Sequence, residues 1–172
     1  MVFKGALALL IGMALFTVAK ASHANRGEDF SARVWFYDQS KCQLYAAPRN
    51  LIPPEGDGEV RVRAMVVGFR GMGNKVGELK IAYLEKYSPE YKALLTRAEI
   101  ARAASHPFLE ILPSPDSEYH RQNTFVKRRA ESSWHSLESD EAREIMSEWR
   151  SWRGPAGQLP IISVPSDVIK SG

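Results

Sequence analysis

The chain has 172 residues, 44% hydrophobic and 25% charged, with 23 Lys plus Arg against 20 Asp plus Glu, for a formal net charge of +3. That apolar share belongs to a chain able to bury a core, and a charge this close to neutrality excludes a surface built throughout to attract nucleic acid or anionic lipid. A lone cysteine, Cys42, excludes an intramolecular disulfide, so the fold must be held by packing alone.

Residues 1–24 read as a cleaved export signal. Lys4 precedes a run of fifteen apolar or small residues over 5–19, and Ser22 and Ala24 are the small residues that flank a cleavage after Ala24. A retained membrane anchor is the alternative, but crossing a hydrocarbon core about 30 Å thick takes roughly 20 apolar residues. The segment holds two lysines and no acid, so residues 25–172 carry 21 basic against 20 acidic residues. Most of the basic excess belongs to the signal. The remaining 148 residues are the size of a single globular domain, with no further membrane-spanning segment.

In 33–47 two apolar, aromatic-rich runs around Trp35 and Leu44 flank Asp38, Gln39, Ser40 and Lys41, which predicts a hairpin with a four-residue loop. Cys42 is expected there as a small buried apolar side chain, or else as a reactive thiol or intermolecular disulfide. Pro53, Pro54 and the glycines at 56 and 58 mark a loop. The acids at 55, 57 and 59 lack a calcium-loop register, so they are read as solvated.

A valine-rich run over 59–70 and alternation over 76–87, with Leu79, Ile81 and Tyr83 on one face and Leu84 on the other, predict a second and longer hairpin. The glycines at 68, 71 and 73 fit its reversal better than an anion cradle, because their spacing matches neither phosphate-binding fingerprint. Ser88, Pro89 and Glu90 open a helix over 89–104 by capping, and Tyr91, Leu94, Leu95, Ala98 and Ala101 form its apolar face. A short strand is expected over 108–112. The polar stretch 117–138 has no periodicity that assigns it. Ser139, Asp140 and Glu141 open a second helix, whose apolar stripe is Ala142, Ile145, Met146, Trp149 and Trp152. A late strand in 159–164, bounded by Pro160 and Pro165, is expected at a sheet edge. Hairpins first and helices later make the fold class α+β: an antiparallel sheet of two hairpins with two amphipathic helices packed on it.

Arg121, Lys127, Arg128 and Arg129 lie within nine residues beside Phe125, a composition able to neutralise an anionic polymer or to form a solvated face. Trp149 and Trp152, bracketed by Arg150 and Arg153, could anchor a partner or pack on the sheet. No nucleophile motif is present, and neither a metal site nor a cofactor is expected, since no histidine pair has helical ligand spacing. The leading expectation is an exported, periplasmic or secreted, non-enzymatic binding or accessory protein that recognises a protein or an anionic polymer, with nucleic acid disfavoured. Two alternatives stand beside it: a small exported hydrolase using His120 or His135 with Asp116 or Glu118, and a secreted effector or toxin.

Overall fold

A computed structural model describes residues 33–55, 60–70, 76–104 and 112–165 of the chain. The export signal, the turn at 71–75, the acids at 57 and 59 and most of the 108–112 strand expectation lie outside them. Among the described residues seven strands form one antiparallel sheet: β1 (Arg33–Asp38), β2 (Gln43–Pro48), β3 (Arg61–Arg70), β4 (Val76–Tyr87), β5 (Thr124–Lys127), β6 (His135–Ser136) and β7 (Pro160–Ile162). The order across the sheet is β2-β1-β3-β4-β5-β6, and β7 pairs with β3. Among the described residues three α-helices, α1 (Pro89–Ala103), α2 (Glu118–Asn123) and α3 (Asp140–Glu148), join the sheet in an α+β fold. Among the described residues no helix is long and apolar enough to cross a membrane.

The first hairpin closes because the Asp38 carboxylate accepts hydrogen bonds from the Ser40 and Lys41 amides, each at 3.0 Å, and from the Ser40 hydroxyl at 2.6 Å. A short acceptor at this position organises a turn by standing in for the backbone. Cys42 takes the left-handed conformation that returns the chain, with φ of 51°, and its side chain is exposed. This corrects its expected burial: turn geometry places Cys42 outside the strand alternation, which begins at Gln43.

The second hairpin departs from simple alternation. Met65 pairs with Tyr83 and Val66 with Ile81, so Ala82 is an extra residue, a bulge. The phase of β4 flips there. Leu79 and Ile81 pack with Leu84 against Val62, Ala64, Val66 and Tyr37, whereas Ala82 and Tyr83 join Val67 and Val126 on the opposite face. Leu84 is fully buried, and Tyr83 lies away from Leu79 and Ile81.

The helices start where capping chemistry indicates. Ser88 Oγ accepts from the Tyr91 amide at 3.1 Å and Ser139 Oγ from the Ala142 amide at 3.1 Å. In the polar stretch, Ser117 caps α2 in the same way through the His120 amide. Helix α3 lies over β4 and β5, burying Ala142 and Ile145 with Met146, Trp149 and Trp152 beside them. It ends at Glu148, and Trp149–Ser151 tightens into a 3₁₀ turn. Helix α1 buries only Tyr91 and Ala98, and Tyr91 packs edge-on against Tyr87, Tyr119 and His120.

Candidate functional site

The two edges of β3 are treated differently. β4 covers one along most of its length. The other is shared: β1 pairs with it only from Arg61 to Arg63, and β7 takes it up from Val67 to Phe69, with the Ser163 amide donating to the Val66 carbonyl at 2.9 Å. Residues 33–35 of β1 stay paired with β2. A wedge therefore opens where β1 peels away and β7 has not yet begun.

The wedge is a cavity of about 160 Å³ that opens to solvent. Val34, Ala64, Val66, Val164 and Pro165 give it an apolar wall, and Trp35, Arg63, Tyr83, Glu85 and Ser163 also line it. Arg63 is clamped by its Nη atoms, which donate to Tyr87 Oη at 3.2 Å and to the Leu51 carbonyl at 3.5 Å, with Glu85 Oε1 3.6 Å away. Its charge is thereby offset inside the site. Burial pushes the Tyr83 phenol up to about 12, so it too stays neutral. Three polar atoms of residues that border it, Trp35 Nε1, Arg63 Nε and Ser163 Oγ, are buried without accessible surface and without a hydrogen-bond partner in the protein. Leaving a buried donor unpaired costs about 1–3 kcal/mol.

None of these residues stood out in the sequence as a candidate. One signal was available: Arg63 interrupts a valine-rich strand between Val62 and Ala64, and a guanidinium amid such residues needs partners.

The expected cations are placed differently from one another. Arg128 donates to Glu131 at 2.7 Å, Glu144 at 3.2 Å and Glu148 at 2.6 Å, so three carboxylates surround one guanidinium. Lys127 is buried, its Nζ donating to the Glu131 carbonyl at 2.9 Å and lying 5.0 Å from the centre of the Trp134 ring. Arg129 stacks on Tyr37 and donates to its hydroxyl at 3.1 Å. Arg121 is exposed, donates to the Asp116 carbonyl at 2.6 Å and borders a shallow depression with Glu138 and Arg143. Trp149 and Trp152 pack under α3, with Arg150 over Trp149.

Of the groups named for a hydrolase, His120 Nδ1 shares a 2.9 Å hydrogen bond with the Tyr91 hydroxyl, while Glu118 accepts from Gln122. His135 lies 3.9 Å from Glu131. Burial lowers the His120 imidazole from its ordinary 6.5, opposed by the charges of Glu85 and Asp116 and assisted by Arg121. The fold thus prefers neutral His120. Its contribution is fully present above pH 6.5 and is lost as the pH falls below that value, because the unfolded chain takes up the proton first. The urea midpoint is expected to drop between pH 7.5 and about 5.5, and less so in His120→Gln. An identical drop in that variant would remove His120 as the cause.

No protein-family model matches the chain, and neither a curated protein nor a solved structure matches it.

Proposed function

We propose that the chain is an exported, non-enzymatic binding protein that recognises a protein partner on the apolar strip of β7. The supporting observation is where apolar surface is left exposed. Among the described residues five large apolar side chains are exposed, and three of them, Leu159 (64%), Ile162 (53%) and Val164 (43%), fall within six residues of chain, with Ile162 and Val164 bordering the wedge. Exposed apolar side chains gathered in one place favour a docked partner, whereas scattered ones carry no such meaning. A protein partner is preferred over an anionic polymer because Arg128 is already met by three carboxylates and Lys127 is buried. Export is supported by Lys4, the apolar run over 5–19 and the small residues Ser22 and Ala24.

The test places a photo-crosslinking amino acid at position 162 of the full chain in the cells that produce it and identifies the captured peptide. Cross-linking to one protein is expected outside the cytoplasm, with the chain starting at Asn25, and Leu159→Asp is expected to reduce it at least tenfold. Loss of capture when Arg121, Lys127, Arg128 and Arg129 are changed to serine, with Leu159→Asp silent, would instead place recognition on the cations.

A further inference from the structure

The free edges of the sheet differ in how they are guarded. β6 is two residues long, and β7 is three residues long and opens on Pro160. Before its pairing with β5 at 84–87, β4 carries the exposed Glu78 and Lys80 and the bulge at Ala82. Shortness, proline, charge and bulges are the devices that keep an open edge from capturing another strand. β2 has none of them before Pro48: among the described residues it pairs with β1 alone, and Gln43, Leu44, Tyr45, Ala46 and Ala47 carry no charge. The pairing of β1 fixes which backbone groups lie on that edge. The Gln39 amide donates to the Val60 carbonyl at 2.8 Å, so residues 37 and 39 turn their backbone groups to β3 and residues 34, 36 and 38 turn theirs to β2. Their partners Ala47, Tyr45 and Gln43 are thereby engaged, and Leu44 and Ala46 each point an N–H and a C=O away from the sheet. The edge is bounded at both ends. Pro48 has no N–H and its carbonyl accepts from the Leu51 amide at 3.0 Å, while Cys42, with φ of 51°, has left the strand. An occupant therefore meets four backbone groups over about 17 Å.

We propose that a second copy of the chain occupies this edge, its β2 pairing antiparallel with β2 about a two-fold axis at Tyr45. Only this register, with Leu44 opposite Ala46 of the second copy and the reverse, pairs all four outward groups of both copies. A shift of two residues either way runs into Cys42 or Pro48. The occupant is a copy rather than a foreign strand because the edge is complementary to itself. Uncharged side chains meet uncharged side chains: Leu44 adjoins Ala46 on the face that holds Tyr37 and Val62, and Tyr45 meets Tyr45 on the face of Phe36. Lys41 and Arg49 flank the strand at exposed positions outside the ladder, where solvent and salt screen them. This edge is separate from the strip of β7 on which the partner protein is placed.

Sedimentation of protein purified from cells expressing the full chain is expected to show a dimer with a Kd of about 1–100 µM, the range of a short edge-to-edge contact. Ala46→Pro removes one outward N–H from each copy and leaves the bonds to β1, and it is expected to raise that Kd at least tenfold. In a Cys42→Ser background, Tyr45→Cys brings two thiols to the axis with Cα atoms about 4.5 Å apart, within disulfide reach, so mild oxidation is expected to link the dimer. Gln43→Cys sets them about 13 Å apart and is expected not to link. Cys42 itself lies about 20 Å from its counterpart in this register, so a reductant is expected to leave the unaltered dimer intact. A chain that stays monomeric at about 0.5 mM overturns the proposal, as does a dimer that ignores Ala46→Pro, is linked through Gln43→Cys or dissociates in reductant. Should these variants fail to fold, a photo-crosslinking amino acid at the exposed position 43 of the full chain decides in the producing cells. Capture of Ala47 of a second copy is expected there, and capture of a different protein overturns self-pairing. Each of these outcomes leaves cross-linking at position 162 unaffected, so the dimer edge and the docking strip fail separately.

Discussion

Leu84→Ala is expected to lower the unfolding free energy by about 3 kcal/mol, the range for a large-to-small change at a fully buried position. Leu84 is 0% exposed and packs with Val62, Ala64 and Val66. Unbroken alternation through β4 would have turned it away from Leu79 and Ile81, onto the face of Val67 and Val126 that α3 covers. The bulge at Ala82 decides between these outcomes. Leu79→Ala is the comparison, because Leu79 is only partly buried in the same cluster and should cost less than half as much. Urea unfolding of the three proteins measures the difference. Equal costs would mean that Leu84 is no more deeply buried than Leu79.

Gly154→Ala is expected to destabilise by about 2 kcal/mol through overpacking. A β-carbon built at Gly154 lies 2.6 Å from Phe69 Cγ and Cδ1 and 2.8 Å from its Cβ, and Phe69 is itself buried. These atoms are at the base of the ring, so the side chain cannot swing clear. Gly154 also opens the turn that delivers β7, since its amide donates to the Gln158 carbonyl at 2.9 Å. Displacing Phe69, which pairs with Pro160, would move β7 along the edge of β3 and disturb the wedge. Gly157→Ala separates crowding from backbone strain. Gly157 has φ of 76° but open space around its Cα, so alanine there should cost only about 1 kcal/mol. A Gly154→Ala protein as stable as the parent would show that Phe69 yields, contrary to its burial.

Features governed by neighbours in the chain were legible. Ser88 and Ser139 mark helix starts because a hydroxyl must be next to the amides it caps, and both caps form. The stripe of Ala142, Ile145, Met146, Trp149 and Trp152 is one helical face, and that face meets the sheet. The stretch 117–138 carried no periodicity because a six-residue helix and strands of four and two residues are too short to display one. Cys42 was misread because an apolar residue next to Gln43 and Leu44 resembles the start of a strand, whereas the return of the chain puts it in the turn.

The α+β class, the capped helix starts and the two early hairpins were all readable from the chain, because they depend on patterns within short stretches of it. The wedge arises from long-range strand pairing. The bulge at Ala82, the parting of β1 from β3 beyond Phe36 and the arrival of β7 at Val67 are properties of strand pairing between segments as much as about a hundred residues apart. Trp35, Arg63 and Ser163 carry no motif, since what distinguishes them is a shared cavity and three polar atoms the fold leaves unpaired.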